Sequence, residues 1–239
     1  MSTEPTSSKP PQGVPVRIAY EAWAAGYDDD ENVTRDLDAE VLRSAGLPLR
    51  GASVVEIGAG TGKNTAFLAE QASEVIALDL TPPMLERARQ RCPAPHVRFI
   101  EHDIREPWPV STGRANVVVG NLVLEHIENL TPIFSEAARV LSPQGSLYLC
   151  ELHPYRQLRG TTARFQNDGE SVRVEAYLHM TADYVMAARA AGFELVSMAE
   201  PNELGSPELA LPRLLQLTWV KAQRADTTEP SPGDSRLHR

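Results

Sequence analysis

Cysteine is nearly absent from this chain: Cys92 and Cys150 are the two in 239 residues. That excludes a disulfide framework and fits a reducing, cytoplasmic compartment. Long apolar runs are also missing; none reaches the roughly 18 residues a membrane helix needs. The segment before Val16 is rich in Ser, Thr and Pro and has no apolar stretch, which excludes a secretory signal. A basic excess is lacking. Lys and Arg number 23 against 32 Asp and Glu, for a net charge of −9 and a pI near 5.2. Such a balance argues against nucleic acid as a main partner. No metal-ligand spacing and no internal repeat is read. What remains is an apolar content of 42%, enough for one large core. Residues 1–15 and 224–239 read as flexible tails around a domain at 16–223.

The most informative stretch is Val54-Val55-Glu56-Ile57-Gly58-Ala59-Gly60-Thr61-Gly62. A β-branched run ends in alternating glycines and passes into a helical pattern, Asn64 to Ala72. Strand, glycine turn and helix in that order mark the carboxyl end of a central strand in an open α/β sheet, where ligands bind. Spacing tests the known phosphate loops. A Walker loop needs Gly-x-x-x-x-Gly-Lys-Ser/Thr, but Ile57 and Asn64 occupy its two ends. A dinucleotide fingerprint needs a third glycine where Lys63 stands.

Strands alternate with helices along the chain, which implies a mostly parallel sheet. Short helices are predicted at Val16–Gly26 and Asp36–Ala45. Strands follow at Ser53–Ile57, Glu74–Leu78, Val97–Glu101, Asn116–Val119 and Ser146–Glu151. Helices fall at Pro83–Arg91 and Pro132–Leu141, and Ser142 to Gly145 is a turn. After a helix at Thr181–Ala191 come strands at Phe193–Met198 and Leu214–Lys221. Residues 153–180 interrupt this rhythm. There, Ala163–Phe165 and Ser171–Tyr177 flank Asn167-Asp168-Gly169, a hairpin signal. The excursion reads as a substrate cap, or else as an insertion without a role.

The alternating glycines behind Glu56 resemble motif I of the class I S-adenosylmethionine (SAM)-dependent methyltransferases. Two further positions carry the resemblance: Leu78-Asp79-Leu80-Thr81 at the end of the second strand, and His102-Asp103-Ile104 after the third. The run Val117 to Ile127, with Asn121 at the strand end, is similar to the small-molecule branch related to the ubiquinone and menaquinone biosynthesis methyltransferases. So is Ala138 to Gly145, although Gln144 stands where many relatives have glycine. The Asp/Asn-Pro-Pro-aromatic motif of nucleic-acid amino-group methyltransferases is missing, and neither cysteine has the Pro-Cys context of pyrimidine attack.

The resemblance implies a Rossmann-like α/β fold. It has a seven-stranded, mostly parallel sheet, an antiparallel last strand, helices on both faces and a small cap insertion after strand five. It also implies methyl transfer from SAM, with S-adenosylhomocysteine as product, to a small-molecule acceptor, plausible oxygen nucleophiles being a carboxylate or a phenol. Cofactor-binding residues would be Tyr27, Glu56, Gly58, Gly60, Gly62, Asp79, Leu80, Asp103, Ile104 and Asn121. In that role Asp79 takes the ribose hydroxyls, though it could equally cap a helix. Asp103 takes the adenine amino group, with Ile104 on the ring, or is a plain turn residue. Tyr20, Trp23 and Tyr27 lie on one helix face and either close over the methionine end or pack on the sheet. His126 and His153 follow strands four and five and are the candidate bases; Glu125 and Tyr155 are weaker ones. Tyr20, Tyr155, Arg156 and Arg164 are the candidate substrate residues. The arginine-rich stretch from His153 to Arg164 suits a carboxylate, or is a solvated loop. A SAM-binding protein that does not methylate and an NAD(P)-dependent oxidoreductase are the alternatives. The acceptor's identity and the oligomeric state are not readable.

Overall fold

In the computed structural model, residues 13–167, 169–203 and 210–222 are described. Both expected tails and Asp168 of the hairpin turn lie outside them, apart from the stretch at 13–15. The order of elements is α1 (Val16–Trp23), α2 (Val33–Ser44), β1 (Ser53–Ile57), α3 (Lys63–Ala69), β2 (Glu74–Asp79), α4 (Pro82–Arg91), β3 (Val97–Glu101) and β4 (Ala115–Asn121). Next come α5 (Leu130–Val140), β5 (Leu141–Leu152), α6 (Pro154–Leu158), β6 (Arg164–Asn167), β7 (Glu170–Arg173), α7 (Thr181–Ala190), β8 (Phe193–Ala199) and β9 (Leu214–Lys221).

Seven strands form one sheet in the order β3-β2-β1-β4-β5-β9-β8. The pairs from β3 to β5 are parallel, whereas β9 runs antiparallel to both β5 and β8. The β1 sequence Ser-Val-Val-Glu-Ile is buried at every position, as expected where helices cover both faces of a parallel sheet. Alternate strand residues feed two cores. Val55, Ile57, Val118 and Leu149 pack with Phe134 of α5 and Tyr184 of α7. Val54, Val117, Val119 and Tyr148 pack with Leu42 of α2 and Leu68 of α3 on the other side. Burying this apolar surface on two faces is the main stabilising term.

Local chemistry sets the element ends. Helix α2 starts three residues earlier than the spacing suggested because Asn32 accepts a hydrogen bond from the Arg35 amide and caps it. Helix α1 stops at Trp23, short of the expected Gly26. Strand β5 is assigned from Leu141, so it absorbs the predicted turn. Within it Gln144 takes a left-handed φ of 62°, the conformation that glycine adopts most readily. Helix α6 was not foreseen. Pro154 opens it at N1, and the His153 ring accepts from the Tyr155 amide.

The hairpin is real but shorter than expected on its second side. Strand β7 ends at Arg173, and Val174 forms a parallel bridge to Val14 instead of continuing the pair. The hairpin packs on α1: the Phe165 ring stacks on Trp23 at 5.4 Å, and Ala19 and Val174 complete the cluster. The hairpin strands and the N-terminal helix therefore pack as one layer.

Gly62 shows how tightly the glycine turn is built. Its φ is +79°, and an added Cβ would lie 3.0 Å from Cα and Cβ of Ala88 in α4. Gly62→Ala is expected to lower stability by roughly 1–3 kcal/mol through overpacking and strain. Urea unfolding followed by circular dichroism measures this; an unchanged midpoint would show that α4 yields without cost.

Candidate active site

The carboxyl ends of β1, β2, β3 and β4 open onto a cavity of about 940 Å³. Its floor is the glycine turn. Gly58 and Gly60 line it, with φ of +70° and +54°. An added Cβ at Gly60 would meet no atom within 4 Å, so this glycine presents bare backbone to the cavity. Gly58 leaves room for Val123, whose Cγ2 would lie 2.5 Å from an added Cβ. Gly62 does not line the cavity. Its missing side chain serves the contact with α4, which corrects its expected place among the ligand residues.

Asp79 ends β2 with both carboxylate oxygens aimed at backbone amides. Oδ2 accepts from Gly60 N at 2.8 Å, and Oδ1 from Thr81 N at 2.8 Å. Each oxygen keeps a lone pair for a further donor. Asp79 lines the cavity, and burial raises its pKa against the lowering effect of those amides. Leu80, Asp103 and Ile104 lie along the same wall. Arg105 grips Asp103 with a 2.6 Å contact and holds its carboxyl below the ordinary range.

A second carboxylate, Asp38 of α2, was not foreseen; one acid among several in an amphipathic helix gives no sequence signal. It is buried, yet it faces the cavity. Asn121 Nδ2 donates to it at 2.6 Å and Asn64 Nδ2 at 3.0 Å. The Oδ1 atoms of both asparagines are buried without a hydrogen-bond partner. A carboxylate flanked by two unsatisfied acceptors suits a cationic donor. Next to it, Leu122 holds a φ of +51°, rare for a non-glycine residue.

The N-terminal layer closes one side. Tyr20, Trp23 and Tyr27 form an aromatic cluster, with Trp23 and Tyr27 at 4.8 Å. Tyr27 lies past the end of α1, yet it lines the cavity together with Tyr20. The Arg35 guanidinium sits over the Tyr27 ring at 4.0 Å and donates to the Tyr27 and Asp30 carbonyls. Asp28 fastens the loop below. It accepts from Thr61 Oγ1 at 2.8 Å and pairs with Arg91 at 2.9 Å. Burial would raise the pKa of Asp28, but Thr61, Arg91 and Arg87 hold it below the ordinary value.

The two candidate bases part company. His126 lines the cavity beside Tyr20, 2.9 Å from Nε2 to the phenol oxygen. His153 does not: it is buried against Glu200 at 3.1 Å and caps α6. Tyr155 is exposed on α6, outside the cavity. Arg156 donates to the Leu211 and Pro212 carbonyls, and Arg164 to the Gly160 carbonyl. Neither arginine lines the cavity, so the arginine-rich stretch does not form the expected anion site. The five cationic residues that do line it are engaged: Arg17 with Glu101, Lys63 with Asp36, Arg91 with Asp28, Arg105 with Asp103, and Arg35 with carbonyls. The hairpin contributes Glu175 and Tyr177, which sequence reasoning did not single out.

Residues 55–149, the glycine turn through β5, match a family described as a methyltransferase domain. A methyltransferase of Emericella nidulans is 31% identical over 75% of this chain and 76% of its own length. The chain belongs to the class I SAM-dependent methyltransferases. A demethylmenaquinone methyltransferase of Tropheryma whipplei is 32% identical over 59% of this methyltransferase and 61% of its own length. A malonyl-[acyl-carrier protein] O-methyltransferase of Halorhodospira halophila is 30% identical over 72% and 60%. Among solved structures, a SAM-dependent methyltransferase from Listeria monocytogenes shares the fold, with a TM-score of 0.70. It is 20% identical and covers 81% of this methyltransferase and 100% of its own chain. Among the described residues no helix is long and apolar enough to cross a membrane, and no group of three or more His, Cys, Asp or Glu could hold a metal.

Two buried acids give the site a pH signature. The carboxyls of Glu56, which accepts from Thr65, and Glu151, which accepts from the Leu124 amide, rise from 4.5 to about 8. Burial is the main cause, and neighbouring acids add to it. A raised folded pKa means that the fold holds protons the unfolded chain has released. Their contribution to stability is complete below the unfolded value of 4.5 and is lost as pH rises through about 8. The thermal unfolding midpoint is expected to fall across that window, and Glu151→Gln is expected to flatten the fall. A midpoint that rises across it would contradict the burial of these acids.

Proposed function

We propose that this enzyme methylates an oxygen nucleophile on a small molecule, with the cofactor lying across Gly58 and Gly60 between Asp79 and Asp38. The carrying observation is the pair of buried carboxylates, Asp79 and Asp38, that line one cavity, each with unused acceptors beside it. Asp79 would take the two ribose hydroxyls. Asp103, still paired with Arg105, would take the adenine amino group, with Ile104 against the ring. Asp38, Asn64 and Asn121 would take the ammonium of the methionine end. When bound, the cofactor supplies an electrophilic methyl on a sulfonium sulfur, and a lining of nine acidic residues, of which Glu56 keeps its proton near neutral pH, against five cations favours that positive charge.

The protein's share of the chemistry is positioning. Holding a nucleophile in line with a methyl is worth up to roughly 7–11 kcal/mol in favourable cases. Tyr27 and Tyr20 would exclude water above the reacting atoms, and His126 is the group placed to receive a proton. The relatives named as O-methyltransferases support an oxygen acceptor. The net charge of −9 supports a small molecule over nucleic acid. The buried free thiols of Cys92 and Cys150 support a cytoplasmic setting.

Asp79→Ala removes one partner of a buried polar contact, which costs about 1–3 kcal/mol. Calorimetry is expected to show SAM affinity reduced by the corresponding ~5- to 150-fold in a folded variant. Undiminished SAM affinity would remove Asp79 from the site; NADH binding in place of SAM would overturn the reading.

A further inference from the structure

At the cavity rim the side chains of Tyr20 and His126 and the backbone carbonyl of Glu175 form a directed hydrogen-bond chain. The Nδ1 atom of His126 lies 2.7 Å from the Glu175 carbonyl oxygen. A carbonyl only accepts, so Nδ1 carries the proton. In the neutral ring Nε2 then holds a lone pair, and the Tyr20 hydroxyl, 2.9 Å away, must donate to it. The Tyr20 oxygen keeps its own lone pairs and lines the cavity. On the same side of the imidazole, Glu125 Oε1 lies 3.8 Å from Nε2, and Gln157 of α6 donates to its other oxygen at 3.1 Å. Three separate segments of the chain thus converge on one ring: α1, the turn after β4, and the strand that leaves β7.

We propose that Tyr20 and His126 are a proton relay for a neutral hydroxyl acceptor, with Glu125 as the residue that stabilises the charged imidazole. This rests on the methyl-transfer reading above. As the acceptor oxygen bonds to the methyl carbon, the bond from that carbon to sulfur breaks, and sulfur keeps the electron pair. The acceptor's hydroxyl proton passes to the Tyr20 oxygen, while the phenol's own proton passes to His126 Nε2. The products are a methyl ether, a neutral thioether and an imidazolium, so the positive charge lost at sulfur appears on His126. Water removes that proton after release. Tyr20 is not a standing phenolate. Burial, with Tyr27, Glu125 and Asp79 around it, keeps the phenol protonated, and Arg35 opposes them only in part.

The relay also names the substrate class. A carboxylic acid is already ionised near neutral pH and needs no base; it needs a cation. Every cation that lines the cavity is engaged with a carboxylate or backbone carbonyls. A phenol or alcohol keeps its proton and requires no cation, which matches what the rim offers.

Two measurements test this. Nitrogen-15 NMR of the cofactor-free protein is expected to place the neutral His126 proton on Nδ1, and Tyr20→Phe is expected to shift the Nε2 resonance. A proton on Nε2 would overturn the relay without any acceptor in hand. A panel of phenols and alcohols, with matched carboxylic acids, is then assayed by S-adenosylhomocysteine release. Phenols or alcohols are expected to react. Tyr20→Phe and His126→Gln are each expected to lower kcat by about 10²–10⁴-fold, with SAM affinity unchanged. Turnover of the carboxylic acids alone, reaction with none of the hydroxyl compounds, or full kcat in both variants would overturn the proposal. A parent protein that fails to bind SAM would instead strike the reading on which it rests.

Discussion

The contact from Gly60 N to Asp79 Oδ2 holds the two halves of the cavity floor in register. It joins the glycine turn after β1 to the end of β2 at 2.8 Å, and Thr81 N binds the same carboxylate from the far side. A glycine turn with positive φ at alternate positions has many conformations open to it. One buried carboxylate with two amide donors selects among them. Because β1 and β2 are parallel neighbours, their carboxyl ends arrive together, and this hydrogen bond converts that coincidence into a rigid corner.

A second fastening governs the roof. Asp28 draws the loop after α1 onto Thr61 and Arg91, so the aromatic layer is anchored to the glycine turn and to α4. The lid and the floor therefore share residues. Thr61 belongs to the turn that faces the cofactor site and also to the clasp that holds the lid. Movement of the lid would be felt at the turn.

Much of this was legible in the residues. The strands at Ser53–Ile57, Val97–Glu101 and Leu214–Lys221 match their predicted bounds, because their short length and the flanking turn signals favour strand over buried helix. Nine of the ten expected cofactor residues line one cavity; Gly62 does not, because spacing cannot tell a glycine that faces a ligand from one that faces a helix. His126 and His153 looked alike on the chain, each following a strand. Only the fold shows that one opens to the cavity and the other turns back to cap α6. Asp38 and Asp28 were invisible because an acid near a helix carries no mark of which side it faces. The arginine-rich stretch failed for a similar reason: backbone carbonyls of a distant segment satisfy Arg156, and no local pattern records them.

The bridge between Val14 and Val174 has a consequence for how the enzyme matures. The strip that shelters the cavity joins the start of the domain to a segment beyond β7, so it is a contact of large sequence separation and its loop-closure entropy is recovered late. On a ribosome, the sheet from β1 to β5 emerges while the aromatic face of α1 has no Phe165 to stack on. Until residues 163–174 are made, Trp23 has no partner from the hairpin and the cavity keeps one side unsheltered.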